Sequence, residues 1–300
     1  MSEFDDLFTQ QESRSVGFPG DQPFDKDAWA QQKKEPREMV YGMVDTIAEA
    51  VGSDGAVMQM YLDAQSRFSR YSVSNALLIL AQKPDATHVR DFDAWKEQGA
   101  YIRKGEAGFY ILEPGEEYQR DDGITGVSYN PKKVFDVSQT GLARKRETPV
   151  YPDDRTAIKA LMDHAPVPMR GSDALPEGTN AVYSPEAREI QVRRGMDGPS
   201  IFRALAQELA QAELDRGDGS YSRAEHGFHA YCVSYMICKQ YGVDVSSFRF
   251  DRAPEVFTGM EPQQVRAELS PIKETAGVLS GRMERFLNQQ RQQKRAEQAR

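Results

Sequence analysis

The stretch PSIFRALAQELAQAELDR, residues 199–216, determines how the second half of the chain is expected to fold. Phe202, Leu205 and Leu209 recur at helical spacing. Pro199 suits a first helical position and Gly217 suits the residue past the end. Two short strand patterns precede this helix, and a second long helical pattern follows it. We predict strands at 180–185 and 188–194, the quoted helix, and a further helix at about 221–241.

The polar side of the quoted helix has the spacing of a zinc-peptidase helix without its ligands. HExxH places two imidazoles one turn apart on one face, with the Glu as general base. Gln207 and Gln211 occupy the imidazole positions here, and Glu208 keeps the Glu. An amide oxygen replaces imidazole poorly at zinc, and without metal Glu208 has no activated water to deprotonate. The alternative is that all three residues are the ordinary polar face of a buried helix.

The helical segment AYCVSYMICKQYGVD, residues 230–244, resembles the AExxAYxVCxxxGxD segment of the zincin-like C-terminal domain of ArdC-type antirestriction proteins. In that family the Glu after the Ala supplies the third metal ligand, and Tyr231 stands at that position here. The resemblance therefore implies that all three ligand positions are replaced: Gln207, Gln211 and Tyr231. It implies a metal-free pseudo-peptidase with no catalytic residue, in which Glu208 is the vestigial general-base position.

A second place for a metal is also open from the sequence. His226 and His229 lie three residues apart on the same predicted helix and could share a face with Cys232. Two histidines at that spacing equally suit hydrogen bonds at the surface or between helices.

Residues 68–114 carry a multi-part pattern: YSxxN, an apolar helix, QxPxAT, FxxW, a glycine, then KGExGxxIxxP. This pattern resembles the N-terminal domain of ArdC-type proteins, a single-stranded-DNA-binding module of conjugative elements. The architecture is also similar to LtrC-like proteins carried by mobile elements of Gram-positive bacteria. Together, the two resembling parts cover about residues 36–280. The resemblance implies single-stranded DNA as partner and protection of incoming strands from restriction.

Binding single strands without sequence preference requires cations along a groove and aromatic platforms for unpaired bases. Seven residues of the first half are predicted to contact DNA: Arg67, Arg70, Tyr71, Asn75, Trp95, Arg103 and Lys104. Gly105 would let the backbone approach a phosphate. Other roles remain open: Trp95 as a core anchor, Asn75 as a cap of a turn, and the two arginines near 70 as a solvated face.

Composition is typical of a globular α+β protein, with 39% hydrophobic and 28% charged residues. No apolar run reaches membrane length, and the acidic start lacks the features of a secretion signal. Cys232 and Cys238 lie six apart in one predicted helix, with Cα atoms ~9 Å apart, which is too far for a disulfide. We therefore expect the cytoplasm, no cofactor and no membrane partner.

Charge is distributed unevenly along the chain. Residues 1–66 hold 5 basic and 13 acidic side chains, whereas residues 67–146 carry a net charge of +2. This permits a polyanionic partner without identifying one. We predict two domains, a helical and small-sheet N-terminal domain and a zincin-like C-terminal domain, within these boundaries: disordered acidic arm 1–35, single-stranded-DNA-binding-like domain 36–140, linker with a short helix 141–179, degenerate zincin-like domain 180–285, polar tail 286–300.

Three functions follow from these patterns. The first is a non-catalytic, single-stranded-DNA-binding protein of a mobile element, with protein contacts through its C-terminal domain. The second is a metallopeptidase with unusual ligands and Glu208 as base. The third is a protein-interaction module without affinity for DNA. In the first case the acidic arm could fold over the basic stretch as an internal DNA mimic.

Overall fold

The computed structural model describes residues 26–119, 125–142 and 149–298, with side chains from residue 36 onward. The fold is α+β, as predicted, and contains two three-stranded sheets. The helices are α1 Lys26–Ser53, α2 Gly55–Arg67, α3 Val73–Gln82, α4 Phe92–Glu97, α5 Asp154–Met162, α6 Gly198–Leu214, α7 Arg223–Tyr241, α8 Ala253–Val256 and α9 Pro262–Gln298. The strands are β1 Val89–Arg90, β2 Phe109–Gln119, β3 Thr125–Asp136, β4 Met169–Ser172, β5 Ala181–Ser184 and β6 Glu189–Arg193.

Side-chain caps fix where the helices of the first half begin. Asp54 accepts a hydrogen bond from the Ala56 amide ahead of α2, and Ser72 accepts one from the Asn75 amide ahead of α3. Each cap satisfies a backbone donor that has no partner inside its helix. Asp91 does the same for α4 through the Ala94 amide.

The first sheet has the strand order β1-β3-β2 and is entirely antiparallel. Asp136, at the end of β3, is fully buried. Its carboxylate accepts hydrogen bonds from the amides of Thr87 at 2.7 Å, His88 at 2.9 Å and Ser138 at 2.9 Å. Burial opposes the charge, but these hydrogen bonds outweigh it and hold the pKa of Asp136 below its usual range. Asp136 thereby fixes the segment that leads into β1.

The second sheet has the order β4-β6-β5, with β4 parallel and β5 antiparallel to β6. β5 is an edge strand, and α6 packs against it. Asp197 caps α6 through the Ser200 amide, and Gly242 ends α7 in the left-handed conformation.

Chain contacts separate Met1–Met39 from Val40–Arg300, and the second unit is compact. One hydrophobic cluster inside it joins buried residues of α2 and α3 with those of α6, α7 and α9. A smaller cluster lies under the first sheet around Phe109 and Val134. Both predicted domains contribute residues to the large cluster, so they share one hydrophobic core. Their predicted boundaries stay a prediction about segments of the sequence.

Three predicted segments differ from the structure. α1 begins at Lys26 and contains Pro36, so residues 26–35 of the predicted disordered arm are helical. Residues 26–35 are rich in Ala, Gln, Lys and Glu, which favour helix and override the polar, disordered interpretation. The remainder of the predicted acidic arm, 1–25, lies outside the described residues. The polar tail is also helical, because α9 continues to Gln298.

The third difference concerns the segment between residues 114 and 133, whose Gly, Asp and Asn content predicts a loop. In the structure β2 and β3 extend well into this segment. In the described parts of the chain, no helix has both the length and the apolar character needed to cross a bilayer.

Candidate functional site

A cavity of about 230 Å³ lies where the C-terminal end of α2 faces the segment before β1. Arg67, Arg70 and Tyr71 line one side of it, and residues 87–89 line the other. Both arginines are exposed and Tyr71 is half-buried. Arg67 donates to the Pro84 carbonyl oxygen at 2.6 Å, which holds its side chain toward this segment. The structure therefore brings together three of the seven predicted DNA-contacting residues.

Tyr71 is held by contacts on its inner side. Its ring packs edge-on against Phe68 with centroids 5.6 Å apart, and its hydroxyl donates to the Val89 carbonyl oxygen at 3.4 Å. Burial raises the pKa of Tyr71, so the ring carries a neutral phenol at physiological pH. A partly exposed, neutral aromatic ring in a cavity that two arginines also line is suited to stacking on a base beside charged phosphates.

His88 and Arg90 also belong to this surface, and the sequence analysis missed both. His88 is exposed and lines the cavity, and Arg90 Nε donates to His88 Nε2 at 3.0 Å. The only signal was the segment THVR, residues 87–90, just before the FxxW motif. His88 comes close to Tyr71 because β1 pairs with β3, and no local sequence pattern indicates that pairing.

Arg103 and Lys104 lie on a separate turn and do not line this cavity. Arg103 Nη2 donates to Glu106 Oε1 and to the Ser138 carbonyl oxygen, both at 2.6 Å. Lys104 is exposed, and Gly105 adopts a φ of +88° with nothing within 4 Å of the position a Cβ would take. The turn thus offers an open backbone next to an exposed ammonium group.

Asn75 and Trp95, two of the seven residues predicted to contact DNA, are engaged in structural contacts in the fold. Asn75 pairs with the backbone of Leu112, accepting from its amide at 2.7 Å and donating to its carbonyl oxygen at 2.8 Å. Trp95 is 1% exposed and its Nε1 donates to the Phe135 carbonyl oxygen at 2.9 Å. A base can reach neither side chain, because one links α3 to β2 and the other lies in the core.

In the second half, a cleft of about 380 Å³ lies between β5, α6 and α7. Gln207, Glu208 and Tyr231 line it together with Arg223. Gln211 does not: it is buried one turn further along α6, where its Oε1 accepts from the Tyr221 hydroxyl at 2.9 Å. The structure therefore brings two of the three predicted ligand positions to one cleft.

Glu208 is 3% exposed and accepts three hydrogen bonds. Its Oε2 accepts from the Tyr183 amide of β5 at 2.7 Å and from Arg223 Nη1 at 2.8 Å, and its Oε1 accepts from Arg223 Nη2 at 2.6 Å. The hydrogen bond to Glu208 raises the pKa of Arg223. Two-point pairing of this kind fixes both side chains. Glu208 therefore links the edge strand to the first turn of α7, and the sequence analysis had not anticipated Arg223.

The residues in the inferred ligand positions do not fit a metal ion. The Tyr231 hydroxyl accepts from the Arg249 amide at 2.7 Å, and its ring packs against Phe248 with centroids 4.9 Å apart. The Gln211 amide oxygen and the Glu208 carboxylate already have the partners described above. The guanidinium of Arg223 lines the same cleft as Gln207 and Tyr231, and its positive charge opposes the binding of a cation there.

The histidine alternative is not assembled either. His229 Nε2 lies 2.9 Å from Glu268 Oε2, and His226 stacks on Tyr221 with centroids 5.6 Å apart. Cys232 is fully buried, which raises the pKa of its thiol well above the usual value and opposes a thiolate ligand. Within the described residues, no group of three or more His, Cys, Asp or Glu side chains is arranged to hold a metal.

Comparison with known families identifies the first half of the chain. Residues 45–151 match the model for the N-terminal domain of the anti-restriction factor ArdC. This match confirms the resemblance to the ArdC-type N-terminal domain that the motifs of residues 68–114 indicate. The match includes the cavity at Arg67, Arg70 and Tyr71.

The particular relatives are more distant. An uncharacterised Bacillus anthracis protein, pXO2-81, is 22% identical over 271 residues that cover 72% of this chain and 45% of that protein. The chain thus spans less than half of that relative's length.

Two crystal structures of the antirestriction protein ArdC from plasmid R388 are also similar. The Mn(II)-bound structure has a TM-score of 0.51 and 16% identity, covering 81% of this chain and 97% of ArdC. The metal-free structure has a TM-score of 0.48 and 19% identity, covering 72% and 86%. The Mn(II)-bound comparison shows a shared fold that extends beyond the N-terminal domain.

Proposed function

We propose that this chain binds single-stranded DNA through the surface formed by Arg67, Arg70, Tyr71, His88 and Arg90, and that it catalyses no reaction of its own. By analogy with the ArdC proteins that it resembles, its role would be antirestriction on a mobile element, in the cytoplasm. The 230 Å³ cavity carries the proposal, because it places cations beside a half-buried aromatic ring within a domain of the ArdC type.

The chemistry of this surface matches what an unpaired strand presents. Guanidinium groups contact phosphates in any sequence, and an aromatic face stacks on any base. The depth of the Tyr71 ring in the protein supports stacking over a purely electrostatic contact, because its inner side is already fixed by Phe68 and Val89. Such a surface recognises the strand without reading its sequence.

The C-terminal half is proposed to be a metal-free pseudo-peptidase that serves as scaffold or protein-contact surface. The hydrogen bonds of Glu208 support this proposal, because a carboxylate paired with Arg223 and bonded to the Tyr183 amide is held in a structural role and is a weaker base toward a water in the cleft. No contact in the described residues favours the metallopeptidase alternative over this one.

The test is equilibrium binding of the full chain to a labelled oligothymidylate across a salt series. With Arg67, Arg70 and Arg90 at phosphates, the log–log slope should be about −2, at ~0.7 for each ion released from a single strand. Arg70→Ser should weaken binding about fivefold, equivalent to ~1 kcal/mol, and reduce the slope by ~0.7.

The matched control is Arg155→Ser, which removes an equally exposed cation from α5, away from the cavity. It should bind like the unmodified chain. Equal losses in both variants would reduce the effect to overall charge, and a chain with no affinity at low salt would refute the proposal.

A further inference from the structure

A second, larger cavity of about 730 Å³ adjoins the proposed DNA surface. Arg67 and Ser69 line both cavities, so the two cavities adjoin at the turn after α2. The other walls of the larger cavity include residues of α7 and α9, with Lys239 and Arg291 among them. The C-terminal helices therefore border a cavity that adjoins the N-terminal surface at Arg67 and Ser69.

The lining residues of α9 form a single helical face. Glu284, Leu287, Asn288 and Arg291 stand at i, i+3, i+4 and i+7. The next positions on this face are Lys294 and Arg295, at three and four residues past Arg291, and both are exposed. The face that lines the cavity therefore continues to a basic segment at the end of α9, formed by Lys294 and Arg295.

One of the two acidic side chains that line this cavity is balanced by contacts within the protein. Asp63 pairs with Lys239 Nζ at 3.0 Å and accepts from the Tyr235 hydroxyl at 2.7 Å. Glu284 is the other carboxylate of the lining, which also contains the guanidinium groups of Arg67 and Arg291. Past Arg291 the charged residues on the described part of this face are Lys294 and Arg295, beside the neutral Gln298, so this end of the face carries a net positive charge.

We infer that a single strand leaving the Tyr71 surface crosses this cavity and that its phosphates contact Arg291 and Arg295 of α9. The inference rests on the proposed function and adds a path to it: the C-terminal half contributes phosphate contacts as well as a scaffold. A strand follows this path because each further cation along the groove adds a phosphate contact and so increases the binding free energy.

The experiment compares Arg291→Gln and Arg295→Gln with the control Arg285→Gln, each in the full chain. Arg285 is also an exposed arginine of α9 but lies ~100° around the helix from Glu284, off the lining face. Each variant is titrated with oligothymidylates of ~4 and ~16 nucleotides, the limits of site size for small single-strand-binding folds.

On the long strand, Arg291→Gln and Arg295→Gln should each reduce the log–log slope by ~0.7 and weaken binding several-fold. On the short strand, which fills only the Tyr71 cavity, they should bind like the unmodified chain, and Arg285→Gln should do so on both.

If Arg291→Gln and Arg295→Gln both bind the long strand like the unmodified chain, the path along α9 is overturned. If Arg70→Ser still weakens binding in that case, the proposed function stands. Equal losses in all three variants would also overturn it, because the effect would then be nonspecific charge. If the unmodified chain bound neither strand, the proposed function itself would fail.

Discussion

Removing Arg223 tests whether Glu208 has become a structural residue. Arg223→Gln leaves the Glu208 carboxylate 3% exposed, with the Tyr183 amide as its remaining donor from the contacts described. Losing one partner of a buried ion pair costs about 3–5 kcal/mol. The side chain of Arg223 is 44% exposed, so water can replace part of the interaction, and we expect ~2–3 kcal/mol.

The reciprocal change is milder. Glu208→Gln keeps an oxygen for the Tyr183 amide and leaves Arg223 free to turn toward solvent, so we expect a loss of ~1–2 kcal/mol. The double variant should be more stable than the sum of the two losses predicts, with a coupling energy of ~1–2 kcal/mol, because neither side chain is then left as an unpaired charge.

Urea unfolding of the four proteins measures these values, provided that the m-values agree. A coupling energy below ~0.5 kcal/mol would refute the reasoning, since residues that interact through two hydrogen bonds must be coupled. So would an Arg223→Gln variant as stable as the unmodified chain.

Three further predictions concern other parts of the molecule. Trp95→Phe should lower the free energy of unfolding by ~1–3 kcal/mol, because the Phe135 carbonyl oxygen loses its donor. The affinity for single-stranded DNA should not change. A fully folded variant with reduced affinity would show that Trp95 contributes to DNA binding. The pKa of Asp136 is lower in the folded chain than in the unfolded chain, where it is ~3.9. Its contribution to the free energy of unfolding is therefore fully present above pH ~3.9 and is lost as the pH falls through the folded-state pKa. The stability difference between the unmodified chain and Asp136→Asn should therefore be constant near neutral pH and shrink in acid, and a difference that grew in acid would contradict this. The double variant Gln207→His, Gln211→His should take up no stoichiometric zinc in elemental analysis, because Arg223 and Tyr231 stay in place; one zinc per chain would contradict the assignment of the cleft.

The elements that the sequence predicted well are those set by local signals. The apolar spacing of Val73, Ala76 and Leu80 predicts a helix at about 73–82, and α3 spans Val73–Gln82. Asp91 is a typical N-cap residue, and it caps α4. Gly242 ends α7 because only glycine adopts its left-handed conformation without strain. β4 could not be predicted in this way, because it becomes a strand by pairing in parallel with β6, a contact that depends on the tertiary fold.

The candidate site shows the same division. Arg67, Arg70 and Tyr71 are close in sequence, so their shared surface follows from one helix end and its turn. His88 joins them only through the sheet. Residue type alone could not distinguish Tyr71, whose ring is partly exposed, from Trp95, which is buried in the core.

The most direct measurement of the central claim is photo-crosslinking of the full chain to a single strand that carries 5-iododeoxyuridine, followed by mass-spectrometric mapping of the adducts. The account predicts an adduct at Tyr71 or His88 that Arg70→Ser weakens and Arg155→Ser does not. Adducts confined to residues outside the Tyr71 cavity and the basic end of α9 would contradict it, and so would the absence of any adduct at strand concentrations that saturate binding.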